Sequence, residues 1–163
     1  MFAQTVMPMS AAYADGGLAG VSGGTVVAGN ATISNAGSTL NVNTATNRTI
    51  INWNGFSVGA SETANFFQPG ANSAVLNRVT TNNNPSAIYG ALNSNGNVIL
   101  VNPSGIVVGA SGVINTNGFT ASVLDIPNNE FLQGGILNFR GDSTASVINK
   151  GTIKTGTGGA ALI

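Results

Sequence analysis

The chain has 163 residues, of which 42% are hydrophobic and only 6% charged, and its five basic and five acidic side chains cancel. A soluble domain ordinarily carries about 25% charged residues, so Asn, Ser, Thr and Gly must cover this surface. Such sparse, balanced charge gives no pull toward nucleic acid or an anionic membrane. With no His and no Cys, thiol chemistry, Cys/His metal sites and His general bases are excluded.

At the N-terminus, Ala12-Tyr13-Ala14 forms a small-x-small pattern before Asp15. It resembles the end of a secretory signal cleaved after Ala14, which makes residues 1–14 a signal remnant and residues 15–163 one domain. No Lys or Arg precedes it and Pro8 breaks the apolar stretch, so an ordinary N-terminal segment is the other reading. No run of about 18 apolar residues exists, so no helix is predicted to span a membrane.

Helix signals are nearly absent beyond this point. Gly numbers 23 and Asn is about as frequent, and short runs of Val, Ile, Thr and Phe recur between them. Thr25-Val26-Val27, Ala31-Thr32-Ile33, Thr39-Leu40-Asn41-Val42 and Thr49-Ile50-Ile51-Asn52-Trp53 read as strands. So do Val98-Ile99-Leu100-Val101, Ile106-Val107-Val108, Val113-Ile114 and residues 118–124. Residues 18–31 are expected to cap the first coil. Two regions break the rhythm, residues 62–84 and 125–139, and both are read as small hairpins packed on the flank. The last residues, Gly158-Gly159-Ala160-Ala161-Leu162-Ile163, stop inside an apolar phrase, as in the front piece of a longer solenoid.

The pieces resemble one another. Ile33-Ser34-Asn35-Ala36-Gly37 parallels Ile148-Asn149-Lys150-Gly151, and Val113-Ile114-Asn115-Thr116-Asn117-Gly118-Phe119 parallels Val147-Ile148-Asn149-Lys150-Gly151-Thr152-Ile153. Short phrases with Gly and Asn at the corners predict an all-β, right-handed parallel β-helix, a single-stranded solenoid with extra-helical hairpins and an N-terminal cap. Coils then stack about 4.8 Å apart with apolar side chains inward. Corners need left-handed backbone, which Gly accepts and Asn tolerates, and stacked Asn can form amide ladders. A β-sandwich is the second architecture.

Asn102-Pro103-Ser104-Gly105-Ile106 reads as a turn between strands: Asn caps it, Pro fixes φ and Gly permits positive φ. Taken alone it is a generic corner. Leu76-Asn77-Arg78-Val79 reads as a strand with Leu76 inward and Arg78 salt-bridged or solvated. Trp53, Phe56, Phe66 and Phe67 are expected to fill the core or anchor an excursion, with sugar stacking as the alternative. Asp125 and Glu130 are the only close acidic pair, and without His they make a poor active site.

An ordered set of phrases then stands out between residues 52 and 131: Trp53-Asn54-Gly55-Phe56, Phe67-Gln68-Pro69, Leu76-Asn77-Arg78-Val79, Pro85-Ser86-Ala87-Ile88-Tyr89-Gly90, Asn95-Gly96-Asn97-Val98-Ile99-Leu100 and Asn102-Pro103-Ser104-Gly105-Ile106. Their order and spacing resemble the N-terminal two-partner secretion domain of filamentous-haemagglutinin exoproteins. The resemblance implies a secretion-targeting and folding-nucleation domain, not an enzyme, with no cofactor, catalytic residue or metal. It implies as partner an outer-membrane β-barrel transporter with periplasmic POTRA domains. The exoprotein would reach the surface of a Gram-negative bacterium, or the medium, by way of the periplasm. The absence of Cys fits both chance and passage through an oxidising compartment without disulfide locking. Asn102, Pro103, Gly105, Ile106, Asn77 and Arg78 carry over as the secretion motif. Ser104 departs from the family's usual Asn, so no role for that side-chain amide carries over. The alternative function is a carbohydrate-binding adhesin module, with glycan a partner through the full-length protein. No nucleic acid and no stable membrane insertion are expected.

Overall fold

A computed structural model describes residues 18–163; the expected signal remnant, residues 1–14, lies outside the described residues. Its strands are β1 (Thr25–Ala28), β2 (Ala31–Ala36), β3 (Thr39–Thr44), β4 (Arg48–Trp53), β5 (Thr63–Phe67), β6 (Ala74–Val79), β7 (Ser86–Ile88), β8 (Ala91–Ser94), β9 (Asn97–Val101), β10 (Ile106–Val108) and β11 (Val113–Ser122). A short helix, α1 (Asn128–Gln133), precedes β12 (Val147–Asn149) and β13 (Thr152–Leu162).

These strands build a parallel β-helix with three walls. On the first wall β3, β5, β8, β11 and β13 stack in parallel, with Thr39, Thr63, Ala91, Val113 and Thr152 in one column. On the second, β4, β6 and β9 stack with the later halves of β11 and β13. On the third, β7, β10 and β12 stack, and Val58 bridges to Ile88. Side chains alternate in and out along each strand. Leu40, Ala64, Leu92 and Ile114 thus form one inward column, and Ile51, Asn77, Leu100 and Ala121 another.

β1 and β2 run antiparallel to β4 and β3. With buried Leu18 and Val21 they close the first coil, so the cap expected over residues 18–31 extends through β2. The antiparallel strands cover the first parallel strands of two walls, so the sheet edges at this end belong to β1 and β2 and not to a parallel coil.

Both expected excursions are revised. Residues 62–84 are not an excursion, because β5 and β6 are wall strands; the strand expected at Leu76-Asn77-Arg78-Val79 is there, as the later part of β6. Residues 125–140 do leave the coil, tied at their base by an antiparallel bridge between Asp125 and Arg140, but they carry α1 and not a hairpin. Pro127 stands at the helix N-cap and Gly134, at φ 77°, ends it, as positive φ at a C-terminal Gly ordinarily does.

This excursion lies over the outside of the second wall. Ile50, Ala74, Leu76, Ile99 and Val101 face away from the coil interior and pack with Ile126 and Phe131 in a second apolar core. Leu76 therefore points outward beneath the excursion, and not inward as expected. The alternation requires this: Leu76 and Arg78 are two residues apart, so they share a face.

The repeated Asn–Gly phrases mark corners rather than coil register. Val113 pairs with Thr152, whereas Val147 pairs with Ile106 on a different wall. The corner before the first wall does repeat from coil to coil, as Gly90, Gly112 and Gly151. A Cβ at Gly90 would lie 2.1 Å from the Gly59 carbonyl oxygen, and one at Gly112 would lie 2.3 Å from that of Ile88. Only Gly lets successive corners approach this closely.

Candidate functional site

The six residues singled out from the sequence separate into two places. Asn102, Pro103, Gly105 and Ile106 form the corner between the second and third walls. The backbone enters from β9, and Gly105 takes φ 117° to turn into β10. Gly105 N–H donates to the Asn102 carbonyl at 3.0 Å, which closes the turn.

The Asn102 side chain is fully buried and bonded in both directions. Its Nδ2 donates to the Asn84 carbonyl at 2.7 Å and to Ser86 Oγ at 3.0 Å, and its Oδ1 accepts from Ser104 N–H at 2.9 Å. One side chain therefore fixes its own turn and ties it to the loop of the coil before. Ser86 and Ile106 are neighbours in register, so the bonds follow from the stacking. Pro103 is exposed and its carbonyl accepts from Ser143 Oγ at 2.6 Å. Ile106 is buried in the interior core. Asn84 and Ser143 were not singled out from the sequence, and Ser86 only as part of a family phrase with no role attached. The Pro85-Ser86 phrase lay in view, but only the register shows that it meets Asn102.

Asn77 and Arg78 sit on β6 and face opposite ways. Asn77 is an interior polar group, 1% exposed, in a column of apolar side chains. Its Oδ1 accepts from the Trp53 indole N–H at 3.0 Å and its Nδ2 donates to the Ile99 carbonyl at 3.4 Å. A buried amide left unpaired would cost about 1–3 kcal/mol, so Trp53 and Asn77 require each other. Arg78 points out to the excursion. Its Nε donates to Asp125 Oδ1 at 2.9 Å, and its other nitrogens donate to the Ile126 carbonyl at 2.8 Å and to Asn52 Oδ1 at 3.3 Å. It is salt-bridged, one of the two alternatives the sequence left open.

The expected acidic pair is divided between two arginines. Asp125 pairs with Arg78, and Glu130 pairs with Arg140 at 2.6 Å. The hydrogen bond from Arg140 holds the Glu130 carboxyl below the ordinary carboxylate range; desolvation opposes it, and the charge of Arg140 adds to the lowering. Arg48 adds a further tie: it donates to the Phe131 carbonyl at 3.1 Å and lies 5.2 Å from the Phe131 ring centre. Such a cation over a ring face is attracted by its quadrupole.

The aromatic expectations hold for three of four residues. Trp53, Phe56 and Phe66 are buried, with Trp53 and Phe56 edge to face at 5.3 Å. Phe67 is 51% exposed on the outside of the first wall, because it follows inward Phe66 on an alternating strand.

The comparisons with known proteins agree with this architecture. The sequence profile of the TPS secretion domain family matches residues 19–163. A heme/hemopexin-binding protein of Haemophilus influenzae is 38% identical over 104 residues, which is 64% of this chain and 11% of that protein. A second heme/hemopexin-binding protein of the same species is 36% identical over 76 residues, 47% of this chain and 8% of that protein. The crystal structure of the HMW1 secretion domain from Haemophilus influenzae superposes with a TM-score of 0.80 at 40% identity, covering 88% of this chain and 39% of that one. The chain spans about a tenth of the length of the curated relatives it matches.

Proposed function

The chain belongs to the TPS secretion domain family, and from that premise we propose that residues 15–163 target a larger exoprotein to an outer-membrane β-barrel transporter and seed its folding outside the cell. The observation that carries this reading is a family match that spans residues 19–163, from the cap to the last coil. The partner in this reading is the periplasmic POTRA portion of the transporter. The destination is the medium or the surface of a Gram-negative bacterium, and no catalytic step is involved.

The burial of the motif bears on when it is read. Asn102, Gly105, Ile106 and Asn77 are buried in the folded domain, and Arg78 is engaged with the excursion. A transporter surface cannot reach a side chain that is fully enclosed. The reading therefore places recognition before the corner closes, while the chain is still extended in the periplasm. Closure on the outside then withdraws the motif from the transporter. The periplasm supplies no ATP, and a domain gains about 5–15 kcal/mol on folding. Stacking of each coil on the last would bias movement outward.

The test is secretion itself. Residues 15–163 behind a working signal peptide are expressed in a Gram-negative host with and without the cognate transporter. The expected outcome is appearance in the medium only with the transporter. Folded protein held in the periplasm in both strains would contradict the proposal.

A further inference from the structure

We propose that the outside of the first wall carries a binding subsite for a neutral saccharide, with Phe67 as its stacking platform. Phe67 is 51% exposed although its neighbour Phe66 is 1% exposed, so about half of a large aromatic side chain is open to solvent on a wall strand. A single exposed aromatic is ordinary; its surroundings are not. It borders a cavity of about 280 Å³ lined also by Asn65, Asn93, Ser94, Asn95 and Asn115. That volume is near the lower end, roughly 300 Å³, of ligand pockets in general, a size for one or two sugar rings.

The polar groups are already arranged. Asn93 Nδ2 donates to Asn65 Oδ1 and Asn65 Nδ2 donates to Asn41 Oδ1, both at 3.1 Å. Asn115 is the next residue in that register and is exposed. Each amide offers two N–H donors and a carbonyl with two lone pairs. The ladder uses one N–H of Asn65 and one of Asn93, so a second N–H on each remains to meet hydroxyl oxygens. Asn115 adds an amide at the next step, about 4.8 Å along. The platform is held still. Asn95 Oδ1 accepts from Gln68 N–H, and Asn95 Nδ2 donates to the Gln68 carbonyl, both at 2.8 Å. These two bonds fix the backbone immediately after Phe67, which lowers the ordering cost of binding.

An apolar ring beside donor and acceptor amides matches a sugar, whose ring carbons present C–H faces and whose rim presents hydroxyls. Among the described residues no charged side chain lines the cavity itself, and the nearest charge in the register is Lys154, one step beyond Asn115, so the subsite is read as one for a neutral ring. The surface is the flat of a wall and not its edge, so a peptide strand finds no backbone partners there.

The test uses the whole 163-residue chain and no transporter, so its outcome is independent of the export reading. Maltotriose and cellotriose are titrated into labelled protein while the side-chain amide resonances are followed. Saturable shifts of Asn65, Asn93 and Asn115 for at least one sugar are expected. Phe67→Ala should weaken that binding at least about tenfold, and Asn115→Ala should weaken it less. Unchanged amide dispersion in both variants checks their fold. No shifts at millimolar sugar, or binding that Phe67→Ala leaves intact, would overturn the proposal. So would Phe67-dependent self-association in sedimentation, which would make the occupant a second copy.

Discussion

The interior of the coil stack and the outside of its second wall are both packed with apolar side chains, yet different parts of the chain close them. The interior is completed coil by coil, as each strand pairs with the one before it. The outer core forms only when residues 126–139 fold back over β4, β6 and β9, which precede them in the sequence. The first is a local, repetitive assembly; the second is a cover delivered late, clamped by Arg48 and Arg78. In a chain that folds from its N-terminus, Ile50, Leu76 and Ile99 therefore stay open to solvent until α1 arrives. The comparison separates what builds a coil from what locks several coils together.

Removing an interior anchor breaks the first kind of order. Trp53→Ala opens a cavity and strips Asn77 Oδ1 of its indole donor, so a loss of about 4 kcal/mol or more is expected in urea unfolding. Cooperative loss of hydrogen-exchange protection across all three walls should accompany it. Phe131→Ala tests the second kind. About 3 kcal/mol is expected, and protection should fall first over residues 125–140 and the outer amides of β4 and β6 while the third wall keeps its own. If the two variants lose protection in the same pattern, the cores are one cooperative unit and the distinction fails.

Arg78→Lys sharpens the same contrast at smaller scale. Lysine keeps the charge but cannot hold Asp125, Asn52 and the Ile126 carbonyl in one fork, and about 1.5 kcal/mol is expected by thermal or urea unfolding. The smallest effect belongs to Glu130. Its carboxyl is lowered from the ordinary value of 4.5, so the unfolded chain binds its proton more tightly than the folded one. The stabilisation is present above that ordinary value and is lost as pH falls through the lower, folded one. Stability measured across that range should decline slightly less steeply in Glu130→Gln, whose side chain does not titrate.

The parts of the fold that repeat were legible in the residues, and the parts made by return of distant chain were not. Strands such as Ile106–Val108 and Arg48–Trp53 announce themselves by β-branched and aromatic runs between turn residues. Thr63–Phe67 did not, because it lay inside a stretch of Asn, Gly and Pro, and Leu76-Asn77-Arg78-Val79 was legible as a strand but not as part of a wall. Their polarity has specific uses: a ladder on the outer face, a partner for Trp53 inside, and a clamp for the excursion. Alternation puts Leu76 on the face of Arg78; what the sequence did not show was that residues 126–139 cover that face and so bury it. The candidate motif divides the same way. The turn at Asn102 was visible as a turn. Its bonds to Asn84 and Ser86 depend on coil register, which loops of unequal length conceal.

The most direct measurement sets export against stability. Asn102→Ala removes the bonds to Asn84, Ser86 and Ser104, with about 2 kcal/mol expected. Val42→Ala, an interior substitution away from the corner, is expected to lose a similar amount. Unfolding free energies are measured for both, and a different interior truncation replaces Val42→Ala if the two are not matched. Transporter-dependent secretion of the matched pair is then compared. The account predicts that the interior variant reaches the medium while the Asn102 variant is held back in the periplasm. Equal secretion of the two would contradict it, and would reduce Asn102 to a brace of the corner with no part in recognition.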